Sequence, residues 1–275
     1  MTTARQRFQR NLAACIGLVV LALMVLLAAA APLLYPASPW EMAAEPYLRP
    51  MQGGYLLGTD MLGRDIAAGI AHGARVSLML ALVATVAATL IGVVLGAVAG
   101  YSGGKLDELL MRVTEFFQTI PSFLLAVVLV ALFGPSIVSI VTAIAVVSWP
   151  GVARLVRGQF LSLRQSEFVQ ASIVLGEPTH RVIFRQILPN AVGPIIVTAS
   201  LMVATAILLE SSLSFLGLGD PDLMSWGYMV GASRNLIRDA WWMCTFPGVA
   251  IFLTVLSINL VGDGLGDALN PRLVG

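Results

Sequence analysis

Charge is what this chain has least of. Only 11% of its 275 residues are Asp, Glu, Lys or Arg, against about 25% in a soluble globular domain, which excludes an ordinary water-soluble fold. Two histidines and two cysteines are equally sparse. Cys15 and Cys244 show no metal-ligand spacing, so no metal and no cofactor are expected. One disulfide is allowed by parity; the other reading makes both cysteines small packing residues in apolar segments. No His-Glu-x-x-His and no Gly-x-Ser-x-Gly occurs, and with them goes any assignable catalytic residue. A net charge of +1 argues against a nucleic-acid partner. Gly100-Tyr-Ser-Gly-Gly-Lys105-Leu106 is one residue short of a phosphate-binding loop, with Leu106 where a Ser or Thr must hold magnesium. The chain therefore carries no ATP site of that kind.

In place of charge there are long apolar runs. Leu12 to Leu34, Val76 to Gly100, Gln186 to Leu209 and Ala240 to Gly262 contain no charged residue. Each reaches the length of about 20 residues that crosses a hydrocarbon core of ~30 Å. Phe116 to Ala153 is also uncharged but would be about 57 Å long as a single helix. Gly134-Pro135 divides it, because proline lacks a donor and clashes with the preceding turn. Six spans are expected, in an all-α, polytopic membrane protein. With the N-terminus inside, eleven basic residues fall on the inner side and five outside, in agreement with the positive-inside rule. Both termini are then cytoplasmic. The first run follows three arginines and ends near Ala28-Ala29-Ala30 like a signal peptide, but it exceeds an apolar signal core of 7–15 residues and reads as a retained first helix.

Within this apolar background a few features call for function. Arg154 to Asn190 is a charged, structured loop, in which Gly176 suits a helix end and Pro178 the first turn of the next helix; Pro189 is expected to separate the loop from the fifth span. The bland alternative is an amphipathic helix lying on lipid. Gly92, Gly96 and Gly100 share one face of the second span and read as a close-packing face, with a substrate-lining face as the second reading. Glu210 is an acid inside an apolar run, near its outer end. A pathway or outer-gate role and a satisfied carboxylate both stay open for it. Asp263 and Asp267 mark the inner membrane border. The outer segment from Tyr35 to Arg75 reads either as a receptor surface using Asp60 and Arg64 or as a plain loop.

Gln170-Ala-Ser172, three residues, Gly176, and then Leu188-Pro189 keep the spacing of the coupling loop of ATP-binding-cassette (ABC) importer permeases, while Gln170, Ser172 and Gln186 depart from its most general pattern. Gly58-Thr-Asp-Met-Leu-Gly-Arg-Asp65, Gly73-Ala-Arg-Val-Ser-Leu78, Leu213-Ser-Phe-Leu-Gly-Leu-Gly219, Ser225-Trp-Gly227, Asn259-Leu-Val-Gly-Asp-Gly264 and Asn270-Pro-Arg-Leu273 occur in order. Together they resemble the dipeptide/oligopeptide permeases of the DppC and OppC type. The resemblance implies the type I importer permease fold, with an N-terminal region at 1–75 and a core at 76–275 holding coupling loop 154–190. It implies an ATPase-coupling role for Glu167, Gln170, Ala171, Ser172, Gly176, Leu188 and Pro189; Asp60 and Arg64 are candidates for contact with a binding protein, beside the plain-loop reading. It further implies a heterodimer with a second permease subunit in the inner-membrane bilayer, two ATP-binding subunits and an extracytoplasmic substrate-binding protein. The chain itself would not be an enzyme. Nickel and glutathione permeases are close alternatives. An ion-gradient-driven secondary transporter is a more distant one, lacking clear inverted repeats here.

Overall fold

In lipid a backbone must bond to itself, and the apolar runs accordingly fold as helices. The computed structural model describes residues 4–269; Arg272 and the Asn270–Leu273 ending lie outside them. The helices are α1 (Ala4–Arg10), α2 (Leu12–Leu34), α3 (Ile66–Ser102), α4 (Gly104–Thr119), α5 (Ser122–Phe133), α6 (Ile137–Arg164) and α7 (Glu167–Val174). There follow α8 (Thr179–Arg181), a π-helical segment (Val182–Ile187), α9 (Leu188–Phe215), α10 (Trp226–Ser233) and α11 (Trp242–Leu269). Among the described residues one isolated bridge, Thr59 with Asp65, is the only β feature. Five helices are long and apolar enough to cross a membrane, counting Thr179–Phe215 as one; the bent pair α4–α5 makes a sixth if taken as one broken span.

Side-chain caps set several helix starts. Asn11 accepts from the Ala14 N–H at 3.1 Å, and Asp65 accepts from the Ala67 N–H at 2.8 Å. Burial pushes the Asp65 carboxyl above its ordinary range, while the N–H groups of Ala67 and Ala68 draw it down. With Asp65 as cap, α3 begins well before the uncharged run at Val76, so a boundary between residues 75 and 76 falls inside this helix.

Two expectations need correction. The third span was expected to occupy the run from Phe116 to Gly134. Its far end is as expected, with α5 ending at Phe133 and Gly134 at φ +84°. Its near end is broken, because Pro121 forces Ile120 into an extended conformation and α4 meets α5 at 85°. The second correction concerns Pro189, which does not separate the loop from the fifth span. The chain stays helical through it, and the turn before it widens: the Leu188 N–H bonds to the Ile183 carbonyl, five residues back. A proline cannot donate to the carbonyl four residues back and its ring crowds that oxygen, so a π segment takes up the misfit.

Close packing of α3 on α6 forms the centre of the molecule. A Cβ at Gly92, Gly96 or Gly100 would come within 3.0 Å of Val152, Ala153 or Phe160 respectively, so the glycine face is a packing face. Trp149, Val152, Val156 and Phe160 are buried along that seam. Both cysteines are free. Gly264 of α11 abuts Ala14, which places Cys15 beside the end of α11 remote from Cys244. Twenty helical residues, about 30 Å, separate the two levels, far beyond disulfide reach. Asp267 accepts a hydrogen bond from the Asn11 side chain at 3.3 Å, so the foot of α11 is held to the start of α2.

Candidate functional site

The loop between α6 and α9 is built from its ends inward. Arg164, at the end of α6, donates to the Tyr101 carbonyl at 2.7 Å and lies over the Tyr101 ring at 5.4 Å. The Gln170 amide donates to the Arg164 carbonyl at 2.8 Å, folding α7 back on the end of α6. At the far end of α7 the Gly176 N–H bonds to the Ile173 carbonyl at 3.0 Å and the Glu177 N–H to the Ser172 carbonyl at 3.1 Å. That pair of bonds is the Schellman arrangement, which needs a left-handed residue, and Gly176 has φ +78°. Pro178 then opens α8, its carbonyl accepting from Arg181 and Val182.

One face of this loop is packed and the other is bare. Val169, Val182 and Ile187 are fully buried against Val156, Phe160 and Ala191 of the neighbouring helices. Ser172 is also buried and bonds to the Phe168 carbonyl, so it belongs to the inner face. Glu167, Gln170, Ala171, Gly176 and Pro189 are exposed, and Leu188 is half-buried. Beside them stand large apolar side chains that cost free energy in water: Val174 is 85% exposed, Leu175 83% and Phe184 65%. Sequence reasoning missed these three. The available signal was two consecutive branched residues, Val174-Leu175, just before a helix-ending glycine, where alternation demands no further core residue.

The other candidate residues gather at the opposite end of the helices. Glu210 is buried, and its carboxylate accepts from the hydroxyls of Ser214 at 2.8 Å, Ser225 at 2.7 Å and Ser211 at 3.4 Å. Ser225 also caps α10, accepting from the Tyr228 N–H at 3.0 Å. Two glycines close the clasp: a Cβ at Gly219 would strike Ser214, and one at Gly227 would strike Ser211. Geometrically this is a satisfied carboxylate that joins the Leu213–Gly219 and Ser225–Gly227 blocks. Trp226 completes the joint, its indole donating to the Ile70 carbonyl at 3.0 Å.

Asp60 and Arg64 lie above this clasp and face each other. One Asp60 oxygen accepts from the Leu62 and Arg64 N–H groups at 2.8 and 2.9 Å, and the other from the Arg64 guanidinium at 2.5 Å. The guanidinium stacks over Trp40 at 5.2 Å, and only 7% of the Arg64 side chain is exposed. Thr59 accepts from the Leu48 N–H and donates to the Glu45 carbonyl, while the Thr59 carbonyl accepts from the Trp242 indole. Arg64, beside Tyr228 of α10, and the Thr59 carbonyl, bonded to Trp242 of α11, therefore brace this segment against both helices, and Arg64 has little surface left to offer a partner. Of the two expected contact residues, Arg64 exposes 7% of its side chain and Asp60 15%.

A third feature is an open groove of about 920 Å³ beside the loop, between α6, α9 and α11. Gln159, Asn190 and Thr198 give it polar lining, and Pro189 stands at its rim.

Comparison with known proteins puts names beside this geometry. Residues 92–275 match the model of the binding-protein-dependent transport system inner membrane component, and residues 1–50 match the N-terminal transmembrane domain of oligopeptide transport permease C. The di/tripeptide transport system permease protein DppC of Pseudomonas aeruginosa is 42% identical, the alignment covering 98% of this chain and 91% of that one. The oligopeptide transport system permease protein OppC of Escherichia coli is 43% identical over 98% and 90% respectively. The dipeptide permease DppC of Bacillus subtilis is 40% identical over 98% and 85%. Among solved structures, a chain of the MetNI methionine ABC transporter in inward-facing conformations superposes with a TM-score of 0.63 at 18% identity, covering 74% of this chain and 96% of that one. A chain of an amino acid ABC transporter gives 0.54 at 14% identity, covering 70% and 89%. At such identities the likeness speaks for the fold.

Proposed function

Because this chain belongs to the family of binding-protein-dependent transport system inner membrane components, we propose that it is the permease subunit of an ABC importer that moves dipeptides or oligopeptides across the inner membrane. The observation that carries the peptide reading is identity of 40–43% over 98% of the chain to permeases named for di-, tri- and oligopeptides. Nickel and glutathione are not favoured beside it. The chain pairs with a second permease subunit, binds two ATP-binding subunits on the cytoplasmic side and receives substrate from an extracytoplasmic binding protein. ATP hydrolysis belongs to those ATP-binding subunits.

The loop 154–190 supports the coupling assignment physically. Its exposed apolar residues sit on a short helix whose ends are both locked, so force applied to Val174 and Leu175 passes into α6 through the Gln170–Arg164 bond and into α9 through the π segment. Nucleotide-driven movement of the partner then biases the helices between two states. Residues 1–75 serve as the N-terminal module over the outer end, and 76–275 as the core, with the start of α3 shared between them.

Reconstitution with the partner subunits in liposomes tests the reading. Labelled dipeptide or oligopeptide should accumulate only with ATP and binding protein. Uptake that follows an imposed ion gradient without ATP overturns it in favour of a secondary transporter. Orientation is tested separately with single cysteines at Gln165 and Thr179, both on exposed residues, in a background lacking Cys15 and Cys244. They should resist membrane-impermeant thiol reagents in intact cells; ready labelling from outside reverses the topology.

A further inference from the structure

We propose that α4 lies in the plane of the membrane as an interfacial helix, seated by an exposed apolar stripe on the boundary between lipid headgroups and acyl chains. Thirteen of its sixteen residues divide into three stripes, each about a third of a turn from the next at 100° per residue. Asp107, Leu110, Met111, Thr114 and Phe117 face the rest of the protein, half-buried or buried. Leu106, Leu109, Val113 and Phe116 form a second stripe, 44%, 59%, 44% and 64% exposed. Lys105, Glu108, Arg112 and Glu115 form the third, all exposed, with Arg112 and Glu108 paired one turn apart.

The third stripe decides against a crossing. A helix running through the bilayer at this place would turn four charged side chains toward hydrocarbon, which lipid does not tolerate without partners. Laid in the plane, the same helix puts the apolar stripe in lipid and the charged stripe in water, the usual arrangement of interfacial helices. The 85° turn at Ile120–Pro121 delivers this geometry, because α5 then enters the bilayer as α4 lies along it. Exposed apolar side chains follow on α5, where Leu124 and Val128 are 56% and 51% exposed. On its inner face α4 is pinned to α6 at two places. Arg157 grips Asp107 through two hydrogen bonds of 2.5 and 2.7 Å, and Arg154 donates to Gln118 at 2.7 Å. Since α6 leads directly into α7, the bilayer surface sets the height of the loop through α4.

Spin labels placed singly at Leu106, Leu109, Val113 and Phe116, and at Lys105, Glu108, Arg112 and Glu115, test this in the membrane complex purified through the full chain and returned to phosphatidylcholine–phosphatidylglycerol vesicles. The apolar four should be accessible to oxygen, shielded from a water-soluble nickel chelate, and of one depth to within a few ångström, about 5–10 Å below the phosphates. The charged four should show the opposite accessibility. A depth climbing by about 15 Å over the ten residues from Leu106 to Phe116 overturns the proposal in favour of a crossing helix. Shielding of the apolar four from both reagents overturns it in favour of burial by the second permease subunit. Neither result touches the transport reading, which uptake alone decides.

Discussion

The two ends of this molecule solve the problem of polar backbone and sparse charge in opposite ways. At the end bearing Glu210, Asp60 and Arg64, nearly every polar group of the clasp finds a partner within the chain: three serines on one carboxylate, an ion pair under an indole, two tryptophans donating to carbonyls. At the loop end, apolar side chains as large as Leu175 and Phe184 stand exposed. Buried polar groups are costly when unpaired, and the polar clasp of the first end is satisfied within the chain, although Met51 and Trp241 stand exposed near it. Exposed branched residues on a rigidly capped helix are costly in water, so the second end is finished only by another surface. On the proposed reading, the difference sets a hydrophobic docking surface at the loop end against a self-supporting polar clasp at the other.

The sharpest way to break this comparison is at the completed end. Asp60→Ala leaves the Arg64 guanidinium enclosed without its carboxylate, and losing one member of a buried pair costs about 3–5 kcal/mol. A large drop in the midpoint of thermal unfolding in detergent is expected, partly restored when Arg64→Met is added. A midpoint shift below the equivalent of ~1 kcal/mol would show that the outer segment is not held by this pair, and would return Asp60 and Arg64 to the role of contact residues.

The loop end should respond in the opposite sense. Val174→Ala with Leu175→Ala removes apolar side chains that are 85% and 83% exposed, so stability should move by no more than about 0.5 kcal/mol. Association with the ATP-binding subunits should weaken by about 2 kcal/mol or more, roughly 30-fold, as for anchor residues of an interface. Equal binding by titration of wild type and variant would place the docking surface elsewhere. A loss of thermal stability instead would make the two ends alike.

What could be read beforehand follows from the range over which each signal acts. Five of the six expected spans were legible as uncharged length, and the glycine face as a four-residue repeat, because lipid and helix geometry act on contiguous residues. The Gly176 turn was legible for the same reason: a glycine two residues before Pro178 is local chemistry. The ion pair of Asp60 with Arg64 is just as local, four residues apart, yet its burial depends on Trp40 and on Tyr228 from α10, which no window contains. Glu210 was visible as an acid in an apolar run, but Ser225, which decides its environment, comes from beyond the end of the helix. The break at Pro121 went unread and the stop expected at Pro189 does not occur, errors in opposite directions. At Ile120–Pro121 the helix axis turns by 85°, whereas before Pro189 a wider turn keeps the helix continuous.

The smallest effect expected, and the finest test of the loop as a transmitting element, lies at Gly176. A Cβ built there meets nothing within 4 Å, so the surroundings exert no steric objection to a side chain. What remains is the backbone conformation itself, since φ is +78° and a left-handed residue other than glycine costs about 1–2 kcal/mol. Valine, branched at Cβ, pays this in full, while asparagine adopts the left-handed region readily. Gly176→Val should therefore release the Schellman bonds of Gly176 and Glu177 and alter the angle between α7 and α8. The spans are remote from this turn, so the variant should reach the membrane in normal amount while peptide uptake and stimulated ATP hydrolysis fall severalfold. Gly176→Asn should retain most of both. Were the two variants equally impaired, bulk at the interface rather than backbone angle would be responsible, and the helix would be a docking face without being a lever. Were both fully active, the angle fixed by this turn would have no part in coupling at all.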